Sequence, residues 1–259
     1  MEERLMGKYK EELSLISGLP IYDRTKREDY ISYKMCCGDL SWLDVLTNVN
    51  IGINNGFYQN INNITQPDCL NVLVNKYNKL PEDYIPQDLE VIDVAFNPEG
   101  LMLRQEARLA FERMCSDAYR DGIYLKAIST FRGYYYQWKI YLKNITQYMS
   151  LEEYQKERDK VSARPGHSEH QTGLVVDIND LEQTFEDTPE GRWLVDNSYE
   201  YGFILRYPKG KEEITGYDYE PWHFRYLGIE LARSVYFSEL TYDEFYARYI
   251  EQPGTCDYE

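Results

Sequence analysis

From Met102 to Tyr119 the apolar residues fall at 103, 107, 110, 111, 114, 115 and 118, the spacing of a helix with one buried face, and Gly122 supplies a stop. Leu125–Phe131 suits a short strand, and Tyr134–Tyr148 reads as a helix. Leu174-Val-Val-Asp-Ile178 is a β-branched run directly after a glycine, which predicts a buried strand. Thr188-Pro189-Glu190 opens a helix running to about Tyr201, with proline in its first turn. Phe203–Tyr207 and Trp222–Tyr226 read as strands and Gly228–Phe237 as a helix, while Thr241-x-x-Glu244 is a capping box opening a last one. Strands and helices mix without strict alternation, so the fold class is α+β.

The first 86 residues follow different rules. They carry Asn-rich stretches (Asn54-Asn55-Gly56, Asn60-Ile61-Asn62-Asn63) and the turn-rich Leu80–Pro86, with no histidine. This predicts an irregular, partly helical N-terminal extension over 1–86 and a main domain over 87–259, with no internal repeat. At 259 residues, 43% hydrophobic and 28% charged, the chain is long and apolar enough to bury a core. Its 28 basic and 44 acidic side chains give a formal charge of −16, which argues against a nucleic-acid binder or docking on anionic lipid. No apolar run approaches the roughly 20 residues of a membrane span. The five cysteines, Cys36, Cys37, Cys69, Cys115 and Cys256, form neither a CxxC pair nor a disulfide framework. Two sequons, at Asn63 and Asn144, carry no functional weight without a source. The 26 tyrosines read first as a compositional bias, with carbohydrate stacking as the alternative.

Histidine is confined to His167, His170 and His223, in two short segments that also carry carboxylates: Arg164–Asp177 and Glu220–Tyr226. A catalytic zinc takes three His, Asp or Glu ligands and leaves a fourth position open. Taken singly, each residue has an ordinary structural reading. Asp177, inside an apolar strand, is costly unless paired or coordinated, and together these residues favour a metal site.

Ser168-x-His170-x-x-Gly173-x-Val175-x-Asp177, followed by Glu220-x-Trp222-His223, resembles the signature of the VanY-type D-alanyl-D-alanine carboxypeptidases. These belong to the zinc peptidases that also include L,D-carboxypeptidases. The usual form is S-x-H-x-x-G-x-A-x-D with E-x-W-H, and only Val175 departs from it. The resemblance extends to Thr130–Gln137, where Gly133 replaces a serine, and covers about residues 70 to 235. It implies a small antiparallel sheet carrying one zinc per chain, flanked by helices as in the Hedgehog and D,D-peptidase folds. It further implies His170, Asp177 and His223 as ligands, Glu220 as catalytic base, and Arg132, Gln137 and Ser168 as substrate contacts. Arginine suits a C-terminal carboxylate because its planar fork binds both oxygens.

The implied activity is removal of a terminal D-alanine from a peptidoglycan stem peptide or muropeptide. Alternatives are a related endopeptidase or D-Ala-D-Ala dipeptidase, or a wall-binding module with a structural zinc. His167 is expected to support the site or face substrate, and Arg164, Arg206 and Arg225 to be structural. Glu220 and His223 would face oppositely on a regular strand, so Pro221 is expected to mark an irregular entry that re-aims Glu220. No feature sets an oligomeric state. The implied substrate leads to an expected location in the cell envelope or outside the cell if an export segment has been removed, and in the cytoplasm otherwise.

Overall fold

The computed structural model describes residues 2–97, 99–147 and 150–251, and divides the chain into two compact units: Met1–Asn60 with Tyr242–Glu259, and Ile61–Thr241.

The first unit is helical. Its helices are α1 (Glu2–Leu15), α2 (Arg27–Cys36) and α3 (Trp42–Ile51). Ser41 starts α3 by accepting a hydrogen bond from the Asp44 amide at 3.1 Å. Leu13, Tyr30, Ile31, Val45, Leu46 and Val49 form its buried core. The capping-box signal at Thr241 marks only a four-residue helix, Tyr242–Phe245, which widens into a π-turn over Tyr246–Ile250. Arg248 ties that turn to α3 through Asp44 Oδ1 and Thr47 Oγ1 at 2.9 and 3.0 Å.

The second unit begins with two small pairs: β1 (Asn62–Asn63) runs parallel to β2 (Asn78–Lys79), and β3 (Leu89–Val91) antiparallel to β4 (Met102–Arg104). Next come α4 (Gln105–Arg120), β5 (Ala127–Ser129), α5 (Tyr134–Tyr141) and α6 (Leu151–Val161). The chain continues through β6 (Val175–Ile178), α7 (Pro189–Asn197), β7 (Phe203–Leu205), α8 (Glu212–Thr215), β8 (His223–Tyr226) and α9 (Ile229–Ser238). The main sheet has the order β5-β6-β8-β7 and is antiparallel throughout. The expected stripe of α4 is buried as Ala107, Ala110, Phe111, Met114, Cys115 and Ala118, against Val176, Ile178, Phe203 and Phe224 of the sheet. This is the α+β fold expected, with a small antiparallel sheet and flanking helices.

Two expectations differ from the structure. The boundary expected near Pro86 lies instead at residues 60/61 and 241/242. Residues 61–86 belong with the sheet because their backbone is bonded to it: Leu80 N–H donates to Gly166 O at 2.8 Å, and Arg225 donates to the carbonyls of Leu70 and Val72. The helix expected over 134–148 ends at Tyr141, and a 3₁₀ turn follows at Ile145–Gln147. Asn144, at φ +69°, breaks the helical run between them, and Tyr148 lies outside the described residues. Cys256 also lies outside them, and the other four cysteines are free.

Candidate active site

Strand register builds the centre of the site. In the antiparallel pair β6–β8, Asp177 sits directly opposite His223, so both side chains leave the sheet on one face. His170 arrives from the 3₁₀ turn Glu169–Thr172, which Gly173 closes at φ +68°. A Cβ there would lie 2.8 Å from Leu89 Cδ2, so the turn needs glycine both for its backbone and for space. His170, Asp177 and His223, all buried, bring ligand atoms within 4.8 Å of one another.

The converging atoms are identifiable. His223 Nδ1 lies 3.0 Å from Asp177 Oδ1, and His170 Nε2 lies 3.3 Å from Asp177 Oδ2. His170 is held from behind, its Nδ1 against the Thr130 carbonyl at 2.6 Å. Among the described residues Asp177 Oδ1 is buried without a hydrogen bond despite its near neighbour, as expected where lone pairs converge on one point rather than on a proton. Two imidazoles and one carboxylate, buried and converging, fit a tetrahedral zinc with one open position.

Glu220 precedes the strand rather than lying in it. His223 N–H donates to Glu220 O at 3.2 Å and Glu220 N–H to Tyr207 O at 3.2 Å, a tight turn around Pro221 and Trp222. Strand alternation therefore does not apply, and Glu220 Oε2 faces His223 Nδ1 at 3.4 Å. Burial raises the Glu220 carboxyl to about 7, with His223 pulling it down and Asp177 pushing it up. A carboxylate tuned towards neutrality is suited to taking and returning a proton.

The neighbouring groups divide sharply. Burial works against the charge of Asp177, but His170 and His223 hold it well below the usual carboxylate range. Burial, then Arg132, pushes His170 down to about 4. Burial opposes the imidazolium of His223, yet the neighbouring carboxylates of Asp177 and Glu169 raise it to about 9. A metal binding at Nδ1 displaces that proton, so metal uptake here is pH-dependent.

A cleft of about 800 Å³ opens over these groups, with Arg132, Ser168, Tyr136, Tyr207, Tyr217 and Tyr219 among its lining. Arg132 donates to Ser129 Oγ at 2.6 Å and to Gln137 Oε1 at 3.1 Å, and its Nη1 lies 3.6 Å from Asp177 Oδ2. Gln137, expected as a substrate contact, is only 1% exposed and stands behind Arg132, its amide donating to the Ala163 carbonyl at 2.7 Å. The structure thus places Gln137 as a brace for Arg132. Of the expected site residues, Ser168, His170, Asp177, His223, Glu220 and Arg132 all line the cleft, and Gln137 does not.

His167 lies outside the metal-binding trio, its Nδ1 2.8 Å from the Asn75 carbonyl, and burial lowers it to about 4. Arg164 pairs with Asp159 at 2.8 Å, in keeping with its structural reading. Glu169 is a further residue of the site that no motif in the sequence marks. It is fully buried between Arg206 and Arg225, both donating to its Oε1, at 2.9 and 3.1 Å. Burial works against its charge, and the two guanidinium groups hold it well below the usual carboxylate range. The available signal was an acid between two motif residues, with two arginines in strands that otherwise read as apolar.

The chain matches the VanY D-alanyl-D-alanine carboxypeptidase family over residues 100–229. It is 40% identical to YodJ of Bacillus subtilis over 195 residues, covering 71% of this chain and 70% of that protein. It is 37% identical over 179 residues to a D-alanyl-D-alanine carboxypeptidase of Enterococcus faecalis, covering 67% of this chain and 64% of that one. Among solved structures it is similar to the LdcB LD-carboxypeptidase, with a TM-score of 0.68, 38% identity, and coverage of 73% of this chain and 91% of that one. It is also similar to a variant of the D,D-pentapeptidase VanY of a VanB-type resistance cassette in complex with Zn(II), with a TM-score of 0.59, 34% identity, and coverage of 68% and 97%.

Proposed function

Since the chain belongs to the VanY D-alanyl-D-alanine carboxypeptidase family, we propose that it is a zinc-dependent carboxypeptidase acting on the C-terminal D-alanine bond of peptidoglycan stem peptides. The observation that carries this reading is the convergence of His170, Asp177 and His223 with Glu220 beside them at 3.4 Å from His223 Nδ1.

His170 Nε2, an Asp177 oxygen and His223 Nδ1 would hold the zinc. When bound, zinc supplies Lewis acidity to the scissile carbonyl and acidifies a water. The chain's own residues supply the rest. Glu220 accepts the proton of the attacking water at its carboxylate and delivers it to the nitrogen of the departing D-alanine. Arg132, braced by Ser129 and Gln137, presents its guanidinium to the terminal carboxylate, with the Ser168 hydroxyl as a second donor. This pairing makes the enzyme a carboxypeptidase, since an internal bond offers no carboxylate to read. The tyrosines of the cleft supply apolar area with polar tips for the remainder of the stem peptide.

The decisive experiment is mass-spectrometric product analysis on defined penta-, tetra- and dipeptides, with and without chelator. The reading expects loss of a single D-alanine from the penta- or tetrapeptide, abolished by chelation and restored by zinc. A D,D-carboxypeptidase takes it from the pentapeptide and an L,D-carboxypeptidase from the tetrapeptide. Cleavage of the dipeptide alone, or of internal bonds, would replace it with the dipeptidase or endopeptidase reading. Stoichiometric zinc with no hydrolysis would replace it with a binding module.

A further inference from the structure

The two imidazoles of the metal site use opposite nitrogens. His170 turns Nε2 towards Asp177 and rests Nδ1 on the Thr130 carbonyl. His223 turns Nδ1 towards Asp177 and Glu220, so its Nε2 points back into the protein. A ligating imidazole needs a partner for its other nitrogen, which fixes both tautomer and ring orientation. For His223 the group on that side is Glu169, whose Oε2 lies 3.8 Å from Nε2.

Three observations separate this from a chance neighbour. Both atoms are buried and neither has a hydrogen-bond partner among the described residues, so each is the unsatisfied group facing the other. A shift of about 0.6–0.8 Å would bring them to hydrogen-bond distance. Glu169 cannot turn away, because Arg206 and Arg225 both donate to its Oε1. Arg225 is itself pinned to the carbonyls of Leu70, Val72 and Tyr226. Neutralising two buried arginines would occupy only Oε1, and Oε2 is left for His223.

We propose that Glu169 is a positioning residue: its Oε2 accepts the Nε2 proton of His223 and so holds that ring with Nδ1 presented to the zinc. This rests on the reading of the trio as a zinc centre. The substitution Glu169→Gln tests it sharply. The two arginines demand an acceptor, so the new carbonyl must face them and the amide NH₂ must face His223 Nε2. Two donors then meet, and the Nε2–H tautomer is disfavoured. Arg206→Gln disturbs the same buried cluster but leaves Oε2 on His223.

Zinc affinity, measured by chelator competition on the folded full chain, is expected to fall about 10–100-fold in Glu169→Gln and to stay within about threefold in Arg206→Gln. Thermal melts establish that both are folded. Equal losses in the two variants, or no loss in Glu169→Gln, would overturn the proposal. Should either variant fail to fold, long-range ¹H–¹⁵N correlation on the zinc-loaded wild-type chain decides it, since there are only three imidazoles. The expected spectrum has His223 protonated at Nε2, with a downfield, slowly exchanging proton, and His170 protonated at Nδ1. An Nε2 proton of His223 in rapid exchange and without the downfield shift would overturn it, since zinc on Nδ1 leaves Nε2 protonated whatever it faces. Failure of the wild-type chain to bind zinc would instead remove the zinc reading itself.

Discussion

The floor and the wall of the cleft are built by different means. The floor, Asp177 and His223, is fixed by backbone register across two buried strands, with His170 on a turn closed by Gly173. The wall, Arg132, stands just beyond the end of β5 and is held by two side chains, Ser129 and Gln137. The floor therefore tolerates little change, because moving one ligand means moving a strand. The wall can be loosened in steps. Substitutions should accordingly act on turnover at the floor and on substrate capture at the wall.

The largest effect is expected from Glu220→Ala. It should lower kcat by about 10²–10⁴-fold while zinc stoichiometry, read by elemental analysis, stays at one per chain. Loss of zinc would instead make Glu220 part of the metal site. Arg132→Ala should lower kcat/KM by about 10–100-fold, mostly through KM, because a charged hydrogen-bonded pair contributes on the order of 1.5–3 kcal/mol. A substrate amidated at its C-terminus should show no difference between the two proteins, and a persisting difference would contradict the assigned role.

A smaller effect concerns pH. The folded pKa of Glu220, about 7, lies above its unfolded value of about 4.3. Its contribution to stability is therefore fully present below about pH 4 and lost as pH rises through about 7. In chelator-treated protein, Glu220→Gln should then gain on the order of 3–4 kcal/mol at pH 8 and almost nothing at pH 4, measured by denaturant unfolding. Gln137→Ala should have the mildest effect, about a 5–10-fold rise in KM with zinc content unchanged, as Arg132 loses one brace. A drop in kcat at constant KM would show Gln137 acting on the chemistry rather than on the wall.

Much of the floor was legible in the sequence because its chemistry is rare there. Three histidines in the whole chain, and an aspartate inside Val175–Ile178, mark the site before any geometry is known. The helix of α4 and the strands β6 and β8 follow from apolar spacing, and Pro221 correctly signalled the irregular entry that aims Glu220 at His223. What failed to show depends on distant partners. Gln137 looks like any polar residue on a helix until Ala163 and Arg132 close around it. Glu169 is an ordinary acid until Arg206, just past the end of β7, and Arg225, on β8, close around it. The boundary near Pro86 was misplaced for the same reason. Turn-rich sequence indicates an irregular path, and the hydrogen bonds from Leu80 and Arg225 decide which unit that path belongs to.

The central claim is that three side chains from two separate stretches hold one ion beneath Glu220. Anomalous scattering at the zinc edge, from crystals grown with one equivalent of zinc, tests it most directly. The account predicts a single peak about 2.0–2.2 Å from His170 Nε2, an Asp177 oxygen and His223 Nδ1. A peak at any other set of residues, or none in zinc-loaded crystals, would contradict it.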